Sequence, residues 1–251
     1  MKFTDKGGAV IMKIIEKLNA KNKDIYGAKA VTLAFLGDSI TQGCFECYFD
    51  ENGVQTVFDA KSAYPVRVKE LLNKLYPAAQ INIINAGISG DNAVNGNNRF
   101  ERDIAPYKPD IVVVSFGLND ACGGKDKVKN YTAALEGIFG KVKEIGAECI
   151  FVFQNIMDTK ASPHLKEDRE KELAKFFAGV QNGGTVDIYH AAAKETAIKC
   201  GVKFCDIYSA WNKMAASGVN TTELLANYYN HPIRDFHYYT AIKIIELMFE
   251  I

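Results

Sequence analysis

Residues 35–43 read FLGDSITQG and follow the apolar run Val31-Thr32-Leu33-Ala34, so Asp38, Ser39 and Thr41 occupy a glycine-flanked turn at the end of a predicted strand. Three kinds of chemistry suit such a turn: a phosphate cradle, an exposed nucleophile, or simple capping of the next helix by the acid or the hydroxyl. The phosphate reading lacks its glycine pattern, since neither GxxxxGK[ST] nor a strand-to-helix GxGxxG is present. A flavodoxin-like flavin site needs only a polar loop and stays open. The nucleophile reading needs a base, because a serine hydroxyl is weakly reactive until a neighbour takes its proton.

Four histidines are candidates for that base. His164 follows Ser162-Pro163 at a predicted helix start, His190 falls in the helical pattern DIYHAAAKE, and His237 lies within the last predicted helix. His231 precedes Pro232, which favours extended backbone, and it sits in a loop just before that helix. From there an imidazole can reach over a sheet edge. Two further loops, NAGISGDN at 85–92 and FGLNDACGG at 116–124, follow predicted strands and are rich in hydrogen-bonding residues. Cys44 and Cys47 have CxxC spacing without a second ligand pair, so a zinc site is not expected and core or loop thiols are favoured over a redox pair.

These residues are positioned by an alternation of strand-length and helical patterns. Strands are predicted at 31–36, 81–85, 111–116, 149–154 and 202–206. Helices are predicted near 8–20, 64–76, 92–104, 127–146, 163–179, 185–200 and 236–249, with Ser162-Pro163 as cap and first residue of one of them. Near-continuous apolar strands between helices imply a parallel sheet covered on both faces. Ligands of such sheets bind beyond the carboxyl ends of the strands. Residues 44–62 form an insertion with a hairpin signal at Asn52-Gly53, placed to overhang that edge. The organisation expected is an N-terminal helical extension over 1–30 and one catalytic-type domain over 31–251.

The bulk numbers exclude several classes. The 251 residues are 48% apolar and 24% charged, with thirty basic residues balancing thirty acidic ones. No charge block suggests a nucleic-acid or membrane partner. The N-terminal apolar stretch is broken by Lys13, Glu16 and Lys17, so no signal peptide is expected, and a cytoplasmic location follows as an expectation.

The ordered set Gly37-Asp38-Ser39-Ile40-Thr41, Asn85 to Asp91, Gly117-Leu118-Asn119-Asp120 and His231-Pro232 resembles the SGNH (GDSL-like) hydrolase family. The resemblance is good over about 31–120 and 230–245 and thin between them. It implies a flavodoxin-like three-layer α/β/α fold with a central five-stranded parallel sheet, and an esterase needing neither metal nor cofactor. It further implies Ser39 as nucleophile, His231 as general base, and an oxyanion hole from the Ser39 and Gly90 N–H groups and the Asn119 amide. Gly90 is expected to be glycine for close backbone approach, Asp38 to orient its loop, and Asp120 to be structural; Thr41, Ser89 and Asn92 are possible pocket residues.

The sequence departs from the family at one place. The acid usual three residues before the histidine is Tyr228 here. A main-chain carbonyl of the 227–229 turn is therefore expected at the imidazole Nδ1, assisted by Asn227 or Asn230. Asp235, expected rather to cap the last helix, and Glu223 are the other acids in range. The functional expectation is a serine esterase acting on a small acyl ester, acetyl on carbohydrate in particular. The alternatives are a lysophospholipase- or thioesterase-type hydrolase, and a non-catalytic binding protein on the same scaffold. Oligomeric state does not follow from the sequence.

Overall fold

The computed structural model describes residues 11–250. It begins with helix α1 (Lys13–Lys23), strand β1 (Val31–Gly37), the one-turn helix α2 (Ser39–Gln42), and a hairpin of β2 (Cys44–Asp50) and β3 (Gly53–Phe58). Helix α3 (Tyr64–Leu75), β4 (Ile81–Gly87), α4 (Ala93–Asp103), β5 (Ile111–Ser115), α5 (Leu118–Cys122), α6 (Val128–Glu144) and β6 (Glu148–Phe153) follow. The chain continues through α7 (Asp168–Asn182), α8 (Thr185–Cys200), β7 (Lys203–Asp206), α9 (Ile207–Ala216) and α10 (Arg234–Phe249).

Strands β4, β1, β5, β6 and β7 lie side by side in that order, all parallel. This is the five-stranded sheet that the alternation predicts. Strand β5 is buried at every residue, as a run of Ile and Val sealed on both faces must be. Helix α3 packs on α10, α4 on α6, and α6 on α8, which gives helical layers on both sides of the sheet.

The N-terminal helix expected over 8–20 begins at Lys13 and runs to Lys23; residues 8–10 of that expectation lie outside the described residues. Its start is set by a distant partner, because the N–H groups of Lys13 and Ile14 donate to the Glu148 carboxylate at 2.8 and 2.7 Å. Beyond its end, Lys21 donates to the carbonyls of Ile25 and Ala28. The helix expected from Ser162-Pro163 begins instead at Asp168. Ser162 spends its hydroxyl on Glu223 at 2.9 Å and makes a turn, while the Glu170 carboxylate accepts from the N–H groups of Lys166 and Glu167 and so nucleates α7. The short helices α2, α5 and α9 were outside the predicted set.

Strand order reverses beside β1, whose neighbours are β4 on one side and β5 on the other. In parallel sheets that switch point is where ligands bind. The three strand ends are level, since Gly37 pairs with Gly87 and with Ser115. The level ends put the segments bearing Ser39, Gly90 and Asn119 beside one another. The main chain of α2 lies directly on Gly87, where a Cβ would overlap the backbone of Thr41 and Gln42. Gly87→Ala should therefore destabilise the protein by about 1–3 kcal/mol in urea unfolding. Gly140→Ala, in open space on α6, should stabilise it by about 0.4–1 kcal/mol.

Candidate active site

The turn after β1 is held from three sides. Asp38, fully buried, caps α2 by accepting from the Ile40 N–H at 3.0 Å. From the end of β6, Gln154 Nε2 donates to both Asp38 oxygens, at 2.8 and 3.0 Å. Burial pushes the Asp38 carboxyl up to about 7, against the pull of the Gln154 and Ile40 donors. Thr41 shares a 2.8 Å hydrogen bond with the buried Tyr64 hydroxyl, and Asn85 donates to the Thr41 carbonyl at 2.9 Å. Thr41 thus braces the turn.

His231 meets that turn. Its Nε2 lies 2.9 Å from Ser39 Oγ, and its Nδ1 lies 2.9 Å from the carbonyl oxygen of Phe45. A carbonyl can only accept, so the proton of the neutral ring sits on Nδ1 and Nε2 is free to accept from the serine hydroxyl. The acceptor is thus a main-chain carbonyl as expected, but it comes from strand β2 and not from the 227–229 turn. Asn227 fixes the turn instead: its Oδ1 accepts from the N–H groups of Tyr229, Asn230 and His231 at 2.9–3.0 Å. Its Nδ2 donates to Asn230 Oδ1 at 2.9 Å. Tyr228 adopts a left-handed backbone (φ 60) and stacks on His164.

Among the described residues no carboxylate is hydrogen-bonded or ion-paired to His231. Asp235 is exposed in the first turn of α10, whose cap position is Ile233, and Glu223 bonds Ser162 and faces His164. His190 pairs with Asp206 at 2.9 Å, and His237 accepts from the Tyr64 N–H at 3.1 Å. Burial, only partly offset by the Phe45 carbonyl, brings His231 down to about 4.

The N–H groups of Ser39 and Gly90 have no protein acceptor among the described residues. Gly90 sits at φ +77, where a Cβ would meet no protein atom, so its backbone conformation by itself favours glycine. Asn119 donates one amide hydrogen to the Asp91 carbonyl at 2.9 Å, which orients the second away from that bond. Asp91 is in turn tied to the buried Arg99 at 2.7 Å. Arg99 also donates to the carbonyls of Ala86 and Gly37, so one cation locks the ends of β4 and β1. Asp120 accepts from the Ala93 N–H at the start of α4, and Asn92 caps that helix. Ser89 is exposed and donates its N–H to Gln42.

Phe45, Gln154 and Arg99 went unrecognised in the sequence. A main-chain acceptor carries no side-chain signature. Gln154 and Arg99 act across strands, which no local spacing in the sequence displays. Cys44 and Cys47 are free thiols, and no group of His, Cys, Asp or Glu among the described residues has metal-binding geometry. Nor is any described helix long and apolar enough to cross a membrane.

A model of the GDSL-like Lipase/Acylhydrolase family matches residues 35–237, and the chain belongs to that family. It is an ester-hydrolysing enzyme. An acetylxylan esterase from Geobacillus stearothermophilus is 27% identical over 192 residues, 72% of this chain and 78% of that protein. The crystal structure of an acetylxylan esterase from the same organism matches with a TM-score of 0.62 at 24% identity, over 87% of this chain and 94% of its own. A two-domain esterase active on acetylated mannans matches with a TM-score of 0.64 at 21% identity, over 94% of this chain and 52% of its own. The chain thus spans about half the length of that two-domain protein, and both structures show the likeness of fold.

Removing the clamp on Asp38 should be felt at once. Gln154→Leu leaves a buried carboxyl without its side-chain donor, a loss of about 1–3 kcal/mol. Chemical denaturation should show it, together with a lower kcat on a small ester.

Proposed function

We propose that this chain is a serine esterase that removes small acyl groups, acetyl above all, from carbohydrate, by way of an acyl-enzyme on Ser39. The observation that carries the proposal is the 2.9 Å approach of Ser39 Oγ to an imidazole whose other nitrogen is already committed to a carbonyl. In this reading His231 Nε2 takes the hydroxyl proton as Ser39 attacks the acyl carbon. The charge that develops on the carbonyl oxygen is met by the Ser39 and Gly90 N–H groups and by Asn119. Such donors favour the transition state over the ground state because the charge appears only there. His231 then returns the proton to the departing alcohol oxygen, and water repeats the sequence on the acyl-enzyme.

The carbohydrate part rests on the acetylxylan esterase relative and on the surroundings of Asn119. A cavity of about 310 Å³ beside it is lined by Asn92, Asn95, Asp120, Lys127 and Asn130 together with Val94, Tyr131 and Tyr189. The amide and charged side chains among those walls can hydrogen-bond a hydroxyl-rich alcohol, which supports the carbohydrate reading. The exposed aromatics Tyr48 and Phe58 of the hairpin are available for stacking on sugar faces, whereas Phe45 and Tyr64 are buried structural residues.

A serine-reactive phosphonate should label the protein stoichiometrically at Ser39, and labelling should vanish in Ser39→Ala and His231→Ala. Acetate release from acetylated xylo- or manno-oligosaccharides should exceed release of longer acyl groups. Binding of such oligosaccharides with neither labelling nor turnover would establish the binding-protein alternative. The pH profile supplies a separate test. The base must be neutral, and burial holds it down to about 4 in place of the usual 6.5. The plateau of kcat/KM should therefore extend well below pH 6.5 and fall only as pH approaches the depressed value. An acid limb centred at 6.5 would contradict it.

A further inference from the structure

The acceptor that replaces the missing acid sits on an insertion, and something must hold it still. Among the described residues strand β2 pairs only with β3, and its register breaks between Cys44 and Cys47. The break takes Phe45 and Glu46 out of the ladder, which frees the Phe45 carbonyl to face His231. A bulged segment in a two-stranded sheet has little rigidity of its own.

Arg234 supplies an external hold. It lies three residues beyond His231, in the first turn of α10. Its guanidinium stacks over the Phe45 ring with 4.2 Å to the centroid. Its terminal nitrogens donate to both Glu46 oxygens, at 2.6 and 3.1 Å, and Nε donates to Asp59 just past β3 at 2.9 Å. Asp59 closes the base of the hairpin, its N–H donating to the Gly43 carbonyl at 2.8 Å. From one turn further along α10, His237 packs on the Phe45 ring with 4.7 Å between centroids.

We propose that Arg234 is a positioning residue for His231: by clamping Glu46, Asp59 and the Phe45 ring it holds the Phe45 carbonyl on the imidazole Nδ1 and makes the insertion part of the catalytic apparatus. The proposal rests on the Ser39–His231 reading above. A surface ion pair alone would contribute little to stability. The planar fork, the shared ring and the common origin of clamp and base on one segment give this one a geometric task.

Arg234→Met keeps the stem and removes the fork. It should lower kcat by about 10²-fold, the scale of a displaced catalytic group, with KM close to wild type. Phosphonate labelling should slow yet still reach one per chain. The acid limb of kcat/KM should move up toward that of a free imidazole as water reaches the ring. A slowly exchanging downfield proton resonance from Nδ1–H, present in the wild type, should disappear. Arg234→Lys should be intermediate, since one ammonium cannot span both carboxylates. The pair Glu46→Gln with Asp59→Asn should reproduce the loss and add nothing to Arg234→Met, because all three act through one contact.

Wild-type kcat and an unmoved acid limb per labelled site in Arg234→Met would overturn the proposal, even if less protein folds. Additive losses in the combined variant would overturn it too. Both results leave the esterase reading intact, whereas a wild type that neither labels nor turns over defeats both.

Discussion

The site depends on one constraint: a buried imidazole must stay neutral, correctly tautomerised and aimed, without a carboxylate. The Phe45 carbonyl meets the second and third requirements with a 2.9 Å hydrogen bond. Burial meets the first. In the proposed mechanism a carboxylate would also stabilise the imidazolium formed when the serine proton is taken, and a carbonyl does this less well. On the proposed reading, the arrangement exchanges some stabilisation of the charged imidazole for a ring whose pKa burial lowers to about 4.

The same edge of the sheet concentrates buried carboxyls. Burial raises Asp38 and Asp120 to about 7 and Asp158 to about 8. Asp158 has no side-chain hydrogen-bond partner among the described residues, yet its N–H donates to the Tyr229 carbonyl, two residues before His231. Arg99 is the buried cation of this edge, and its hydrogen bonds to two strand-end carbonyls and to Asp91 explain why it is tolerated there. Strand ends that are levelled by pairing and locked by one guanidinium give the loops above them a rigid base.

The sheet is legible in the sequence because its strands are apolar runs of the right length, and a parallel order follows from the helices between them. That Ser39 and His231 meet is legible only through the order of the motifs around them, since the two lie 192 positions apart. The Phe45 contact is not legible, because every residue owns a carbonyl and only the local break in β2 pairing selects this one. Ser162-Pro163 misleads for a related reason: the serine has the chemistry of a cap, but Glu223 competes for its hydroxyl. Asp235 has the chemistry of a cap too, and the helix simply begins one residue before it, at Arg234.

An acceptor built from the main chain has an unusual genetic property. A codon change at position 45 alters the side chain and leaves the peptide oxygen in the chain, so no single substitution there can delete the group that the histidine needs. What the arrangement cannot absorb is a change of length between Gly43 and Cys47, which would slide a different oxygen, or none, into place. On the proposed reading, drift in this lineage should tolerate varied composition in the hairpin outside Phe45, Glu46 and Asp59, which the Arg234 clamp uses, while resisting insertions and deletions beside the bulge.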